Sequence, residues 1–384
     1  MDSFKLLSGR FEAERLPDDL SERPVPDFGY NVLNQKGLLY DPILDYDESQ
    51  GERTNIQWPD GFDFAVCLTH DLDHVTRYSL TQTYRRVKQK ASAHSRARSI
   101  SEESLVGSNA SDLLRSIAIE GRSVLQTIQH TGTDPYHSLD QWLDAERTIG
   151  AKSTFFILPT PLPPYHSTDP EYRFSDSILF EGRKQTVAKT IRQIDNLGWE
   201  IGLHPTWYSF DDVDKLQQEK SELEDIVGSE VESVRSHCLH YDIRQTPRVQ
   251  EAVGFKYDST LGFNRNIGFR FGTSYPWKLY DLQSNNSTNI VEIPLHVQDT
   301  ALFRPKGLDL APDDAIKYVK ELTNRVRNVG GVLTLSWHPS KIDKNGWLDS
   351  YRQILSFLND QNAWITTVAE IGEHCRQRAK LTLE

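Results

Sequence analysis

From residue 64 onward, short apolar runs alternate with segments of helical period, and this alternation limits what the chain can become. Strands that are apolar on both faces need cover on both, and a helix between consecutive strands makes them parallel. The runs fall at 64–69, 153–158, 199–203, 231–236, 255–258, 291–297, 332–337 and 363–368. Between them, Val187, Ile191, Ile194 and Leu197 are closed by Gly198, and Pro312-Asp313-Asp314 opens a stretch carrying Ile316, Val319 and Leu322. Both read as amphipathic helices with proper ends. The fold class expected is α/β, an irregular (β/α) barrel of seven or eight parallel strands.

Residues 1–60 are rich in Pro, Asp and Glu, lack a sustained period, and are expected to form an irregular lead-in packed on the barrel. Residues 61–384 are the expected barrel domain, with 76–135 a polar helical insertion after the first strand. The insertion contains a basic run at 84–98, read as a solvated helix face; gripping an anionic substrate or a lipid surface is the sharper alternative.

A hydrophobic share of 37% across 384 residues is enough for a sizeable core. A formal charge of -12 opposes nucleic-acid phosphate, so nucleic acid is excluded as a main partner. No apolar segment is long enough for a transmembrane helix, and the first twenty residues lack the build of a signal peptide, so a cytoplasmic location is expected. Cys67, Cys238 and Cys375 form no CxxC pair and give neither a disulfide framework nor a thiolate zinc site.

Polar residues cluster where the strands end. Thr69-His70-Asp71-Leu72-Asp73-His74 ends the first strand, His204 the third, Arg235-Ser236-His237 the fourth, Asp258 the fifth, Asp299 the sixth and His338 the seventh. In a barrel these carboxyl ends share one face, where active sites are built. Asp71 and Asp73 stand two apart and point the same way if strand geometry persists. Two such carboxylates repel unless a cation or a proton lies between them. A divalent metal resolves the conflict most simply, and carboxylate plus imidazole suits zinc, cobalt, iron or nickel with one position left for water. Asp73, His204 and His237 form the best trio. Taken singly, each histidine is more simply a core residue, and His70, His74, His240 and His296 stay with that reading. Asp258 alone is equally well explained as a turn cap.

The strings FAVCLTHDLDH, KSTFFILP, GWEIGLHPTWYSF, VRSHCLHYD, GFKYDSTLGF, VEIPLHVQDT and LTLSWHPS, in this order, resemble the polysaccharide deacetylase family, carbohydrate esterase family 4, with its NodB-homology fold. The resemblance runs from about Trp58 to about Cys375. Within the family the chain looks like a divergent intracellular branch that carries T-H-D-x-D and R-x-H and is linked to surface-polysaccharide biosynthesis. It implies that Asp71 is the general base, Asp73 a metal ligand and His204 a second ligand. The family's next histidine, four positions on, is replaced by Tyr208, and His237 is expected to supply the missing imidazole. Arg235 would orient Asp71, and His338 would be the general acid, held by Asp258.

The cofactor so implied is a divalent metal, zinc first, with cobalt, iron or nickel as alternatives. The reaction is removal of an N-acetyl group from an amino sugar carried on a nucleotide, a lipid or a short glycan. Removal of a formyl group or another small acyl group needs the same residues. A carbohydrate-binding protein that has lost turnover through the Tyr208 change is the reading from another class. There is no GxSxG, Walker loop, GxGxxG or HExxH string, which sets aside serine, nucleotide and HExxH metalloprotease chemistry.

Overall fold

One strand organises the others. In the computed structural model, β1 (Phe64–Leu72) is buried along all nine residues. The structure describes residues 2–20, 31–46, 56–76, 134, 136–158, 166, 168–170, 172–341, 346–378 and 381. The expected insertion therefore lies outside the described residues, apart from Thr76 and Asp134, whose side chains are hydrogen-bonded to each other. Among the described residues no helix is long and apolar enough to cross a membrane.

The remaining strands are β2 (Thr154–Ile157), β3 (Ser177–Phe180), β4 (Arg183–Thr186), β5 (Glu200–Leu203), β6 (Ser233–Val234), β7 (Tyr257–Asp258), β8 (Trp277–Asp281), β9 (Asn286–Glu292), β10 (Val297–Gln298), β11 (Val332–Ser336) and β12 (Ala363–Thr366). They form one curled sheet in the order β10-β11-β1-β2-β5-β6-β7-β9-β8, with β12 also on β1 and β3-β4 a separate hairpin. One edge of β1 pairs with β11; the other is shared, Phe64–Cys67 by β12 and Thr69–Leu72 by β2. All these ladders are parallel; within the large sheet β8 runs antiparallel to β9, and the separate β3-β4 hairpin is antiparallel as well. The fold is the expected α/β barrel in irregular form.

Two departures from expectation have local causes. The run at 291–297 is not one strand: β9 pairs with β7 and β10 pairs with β11. Pro294 between them has no N–H to give a ladder. Ile293 N still bonds Asp258 O, whereas His296 N bonds Thr334 O, so the chain changes partners across the proline and carries the sheet over its seam. The antiparallel β8 was not anticipated, because its pairing comes from a hairpin turn in which Asn285 adopts φ of 57°, and no strong turn pair announces it.

Helices cover the outside as their sequences dictate. Val187–Asn196 starts at Thr186, whose side chain accepts Lys189 N, and buries Val187, Ile191 and Ile194. Pro312–Val329 opens on proline with two acidic residues in its first turn and stops at Gly330, left-handed at φ 74°. Because side chains alternate along a strand, Leu333, Leu335 and Trp337 join the outer layer beneath helices Pro312–Val329 and Trp347–Asn359. Inside, Ala65, Cys67, Phe156, Tyr257, Val291 and Val332 meet the helix Val368–Arg378, which plugs the lower end of the barrel. A Cβ on Gly372 would lie 2.2 Å from the Tyr257 ring, so only glycine lets the plug approach this closely. The inward column of β5 shows the same gradient from floor to mouth. Glu200 accepts Ala369 N in the first turn of the plug, Gly202 leaves room for the Phe156 ring, and His204 stands at the top.

The N-terminal segment packs Leu6, Leu7, Leu16, Leu20, Leu33 and Leu44 against Trp277, Leu279 and Ile290. Its Glu12 forms a buried ion pair with Arg270, which also donates to Gly262 O. Removing one member leaves a buried charge without its counter-charge. Glu12→Gln is therefore expected to cost about 3 to 5 kcal/mol in urea unfolding, and an unchanged midpoint would count against this docking.

Candidate metal centre and active site

The inward parity of the strands decides which of the strand-end residues meet. On β1, Ala65 and Cys67 face the plugged floor, and the same parity brings Asp71 and Asp73 to the mouth, with His70 on the opposite face. On β6 the parity carries Arg235 and His237 inward, on β5 His204, and beyond β11 His338. These six side chains converge.

Asp73 Oδ1, His204 Nε2 and His237 Nδ1 lie 3.5, 3.6 and 3.3 Å from one another. Three atoms each about 2.1 Å from one ion, at tetrahedral angles, would be about 3.4 Å apart. The chemistry of the donors agrees with the distances. His204 Nδ1 is bonded to Arg235 O at 2.6 Å, and His237 Nε2 faces Thr168 O at 3.2 Å. Since a carbonyl only accepts, each outer nitrogen carries the hydrogen, and in the neutral ring the inner nitrogen keeps the lone pair a cation would take. Asp73 Oδ1 is buried without a hydrogen-bond partner. An orphaned carboxylate oxygen facing two imidazole lone pairs is a set that a divalent cation satisfies. The Lys215 ammonium lies over the ring of Tyr208 at 5.4 Å.

A second pair flanks the trio. Arg235 Nη1 donates to Asp71 Oδ1 at 2.9 Å and to Thr69 Oγ1 at 2.6 Å, while its other nitrogens hold Ser259 O and Oγ. Burial pushes the Asp71 carboxyl up, but Arg235, His204 and His338 together outweigh this and hold it below the usual carboxylate range. It is ionised and fixed. His338 Nε2 lies 4.0 Å from Asp71 Oδ2 and 3.6 Å from Asp73 Oδ2. Burial pulls the His338 imidazole down, and the carboxylates of Asp299, Asp73 and Asp71 together more than reverse this.

The residue behind His338 is Asp299, whose Oδ1 is 2.7 Å from Nδ1 and whose Oδ2 accepts the His338 N–H at 2.9 Å. The sequence reading gave that place to Asp258, and the structure corrects it. Tyr257 faces the plug, so its neighbour Asp258 takes the other side of the sheet. There its Oδ1 accepts from Thr260, and burial raises its carboxyl to about 6. Asp299 had the right signal, a strand end, and lacked only a partner.

No family model matches the chain, and no curated protein matches it in sequence. Solved structures do. A protein from Mycobacterium smegmatis assigned as a polysaccharide deacetylase is 20% identical, with 84% of this chain and 93% of that chain covered and a TM-score of 0.52. One from Pseudomonas aeruginosa PAO1, assigned likewise, is 13% identical over 86% of this chain and 97% of its own, also at 0.52. The Puue allantoinase is 13% identical over 85% and 93%, again at 0.52. At such identities the likeness is one of fold. The chain has the NodB-like (β/α)-barrel fold of polysaccharide deacetylases.

Proposed function

We propose that the protein is a metal-dependent hydrolase that removes an N-acetyl group from an amino sugar, acting in the cytoplasm on a sugar linked to a nucleotide, a lipid or a short glycan. The observation that carries this reading is the spacing of three ligand atoms beside an ionised carboxylate and a carboxylate-backed imidazole. Asp73, His204 and His237 would hold a divalent ion, zinc first, with cobalt, iron or nickel as alternatives. Such an ion acts as a Lewis acid, making water more acidic and stabilising negative charge on the amide oxygen.

The chain's own groups do the proton work. Asp71, kept ionised by Arg235, accepts a proton from the attacking water. His338, held by Asp299 through Nδ1, presents Nε2 to the opposite side and gives its proton to the departing nitrogen. The amine leaves neutral, and acetate is the second product. Arg235 fixes the direction of the Asp71 carboxylate, and Asp299 fixes the ring of His338.

The test is product release from N-acetylhexosamines carried on nucleotide and lipid, with the metal content of the purified protein measured alongside. Formate released from formamido sugars would move the reading to a deformylase, and allantoin serves as the control drawn from the allantoinase neighbour. A metal-loaded protein inactive on all of them would sink hydrolysis and leave carbohydrate binding. Asp299→Asn is expected to lower turnover per metal-loaded site by about 100-fold, with KM unchanged. A loss confined to KM would remove Asp299 from this role.

A further inference from the structure

The side of β1 that faces away from the site carries a second buried polar cluster, which the mechanism above does not use. His70 is fully buried, its ring 4.7 Å from that of Phe155 and 5.4 Å from that of Trp142. Both of its nitrogens are engaged: Nδ1 with Trp337 O at 2.8 Å and Nε2 with Glu146 Oε1 at 2.7 Å. Glu146, equally buried, also accepts from Tyr351 OH at 2.8 Å, from Ser153 Oγ at 2.9 Å and from the Trp199 indole. Three donors and the His70 ring converge on one carboxyl group, tying together β1, the starts of β2 and β5, and the helix Trp347–Asn359.

The carbonyl that His70 holds belongs to the peptide between Trp337 and His338. The N–H of that same peptide is held by Asp299 Oδ2 at 2.9 Å. Trp337 N in turn donates to Thr69 O at 3.0 Å. So the residue next to the proposed base grips the backbone of the proposed acid. We propose that Glu146 and His70 are positioning residues that set the placement of His338 against Asp71. A buried carboxylate–imidazole contact adds little net stability over apolar packing, because desolvation offsets the attraction. What this cluster supplies is a fixed relation between two strands, which catalysis needs to within a fraction of an ångström.

The inference rests on the acid–base reading of Asp71 and His338, and the test separates the two. Glu146→Gln and His70→Phe, which keep shape and ring packing, are compared with the native chain on an N-acetyl sugar and on 4-nitrophenyl acetate. The phenolate leaves without help from an acid, so a displaced His338 harms the amide reaction and spares the ester. We expect kcat per metal-loaded site to fall about 10- to 100-fold on the amide, with KM and metal content unchanged, and less than about 3-fold on the ester. Equal losses on both substrates, or lowered thermal stability with unchanged kcat, would overturn the proposal. A crystal structure of the Glu146→Gln protein judges it without any activity. Movement of His338 from its 4.0 Å separation from Asp71 supports it, and an unmoved His338 refutes it. A native protein inactive on every amide would instead refute the hydrolase reading.

Discussion

Asp71→Asn is expected to lower turnover per metal-loaded site by about 10²- to 10⁴-fold, the range by which a positioned proton acceptor accelerates such steps. Asparagine has the same shape, and its Oδ1 can still accept from Arg235 Nη1, which also keeps Thr69 Oγ1 and the two Ser259 oxygens. The fold and the metal trio should therefore survive, and only the acceptor at Oδ2 is lost. Turnover measured with metal content and KM in the same preparation isolates that change. A loss smaller than about threefold, with the metal in place, takes the base role from Asp71.

The second large effect concerns His237. In the resembling family the residue four positions after His204 is a ligand, and here it is Tyr208. If His237 supplies the third ligand, His237→Ala removes a bond to the ion itself. Changes to outer-shell partners alone weaken metal sites by about 10- to 100-fold, so zinc affinity should fall by more than about 100-fold, and activity with it. Isothermal titration with zinc measures this directly. Tyr208→Phe is the control, expected to leave affinity unchanged because the trio closes without it. Zinc binding that survives His237→Ala and disappears in the control would transfer the ligand to Tyr208.

The barrel was legible because helical and extended periods differ and because short buried strands announce themselves as apolar runs. The strand-end residues were legible for a related reason: polar groups at the end of an apolar run must converge somewhere. Depth along a strand is harder to read, since one residue of register exchanges inside for outside. Asp258 was misplaced in this way, while Asp299, beyond a strand split at Pro294, was noted without a role. Glu146 could have been suspected, for Leu139, Trp142, Leu143 and Glu146 share one helical stripe, and an acid on that stripe is out of character. Its hydrogen-bond partners come from distant parts of the chain, which no local pattern reveals.

The helix Val368–Arg378 has a consequence for how the molecule is made. It seals the floor of a barrel whose strands all precede it in the sequence, so during synthesis those strands emerge from the ribosome before their seal exists. Until then Ala65, Cys67, Phe156, Tyr257, Val291 and Val332 lack the cover of Val368, Ile371 and Cys375 and offer a sticky apolar surface to chaperones or to other nascent chains. A chain cut short before residue 368 would stay in that condition, with every residue of the proposed site encoded and an unsealed core.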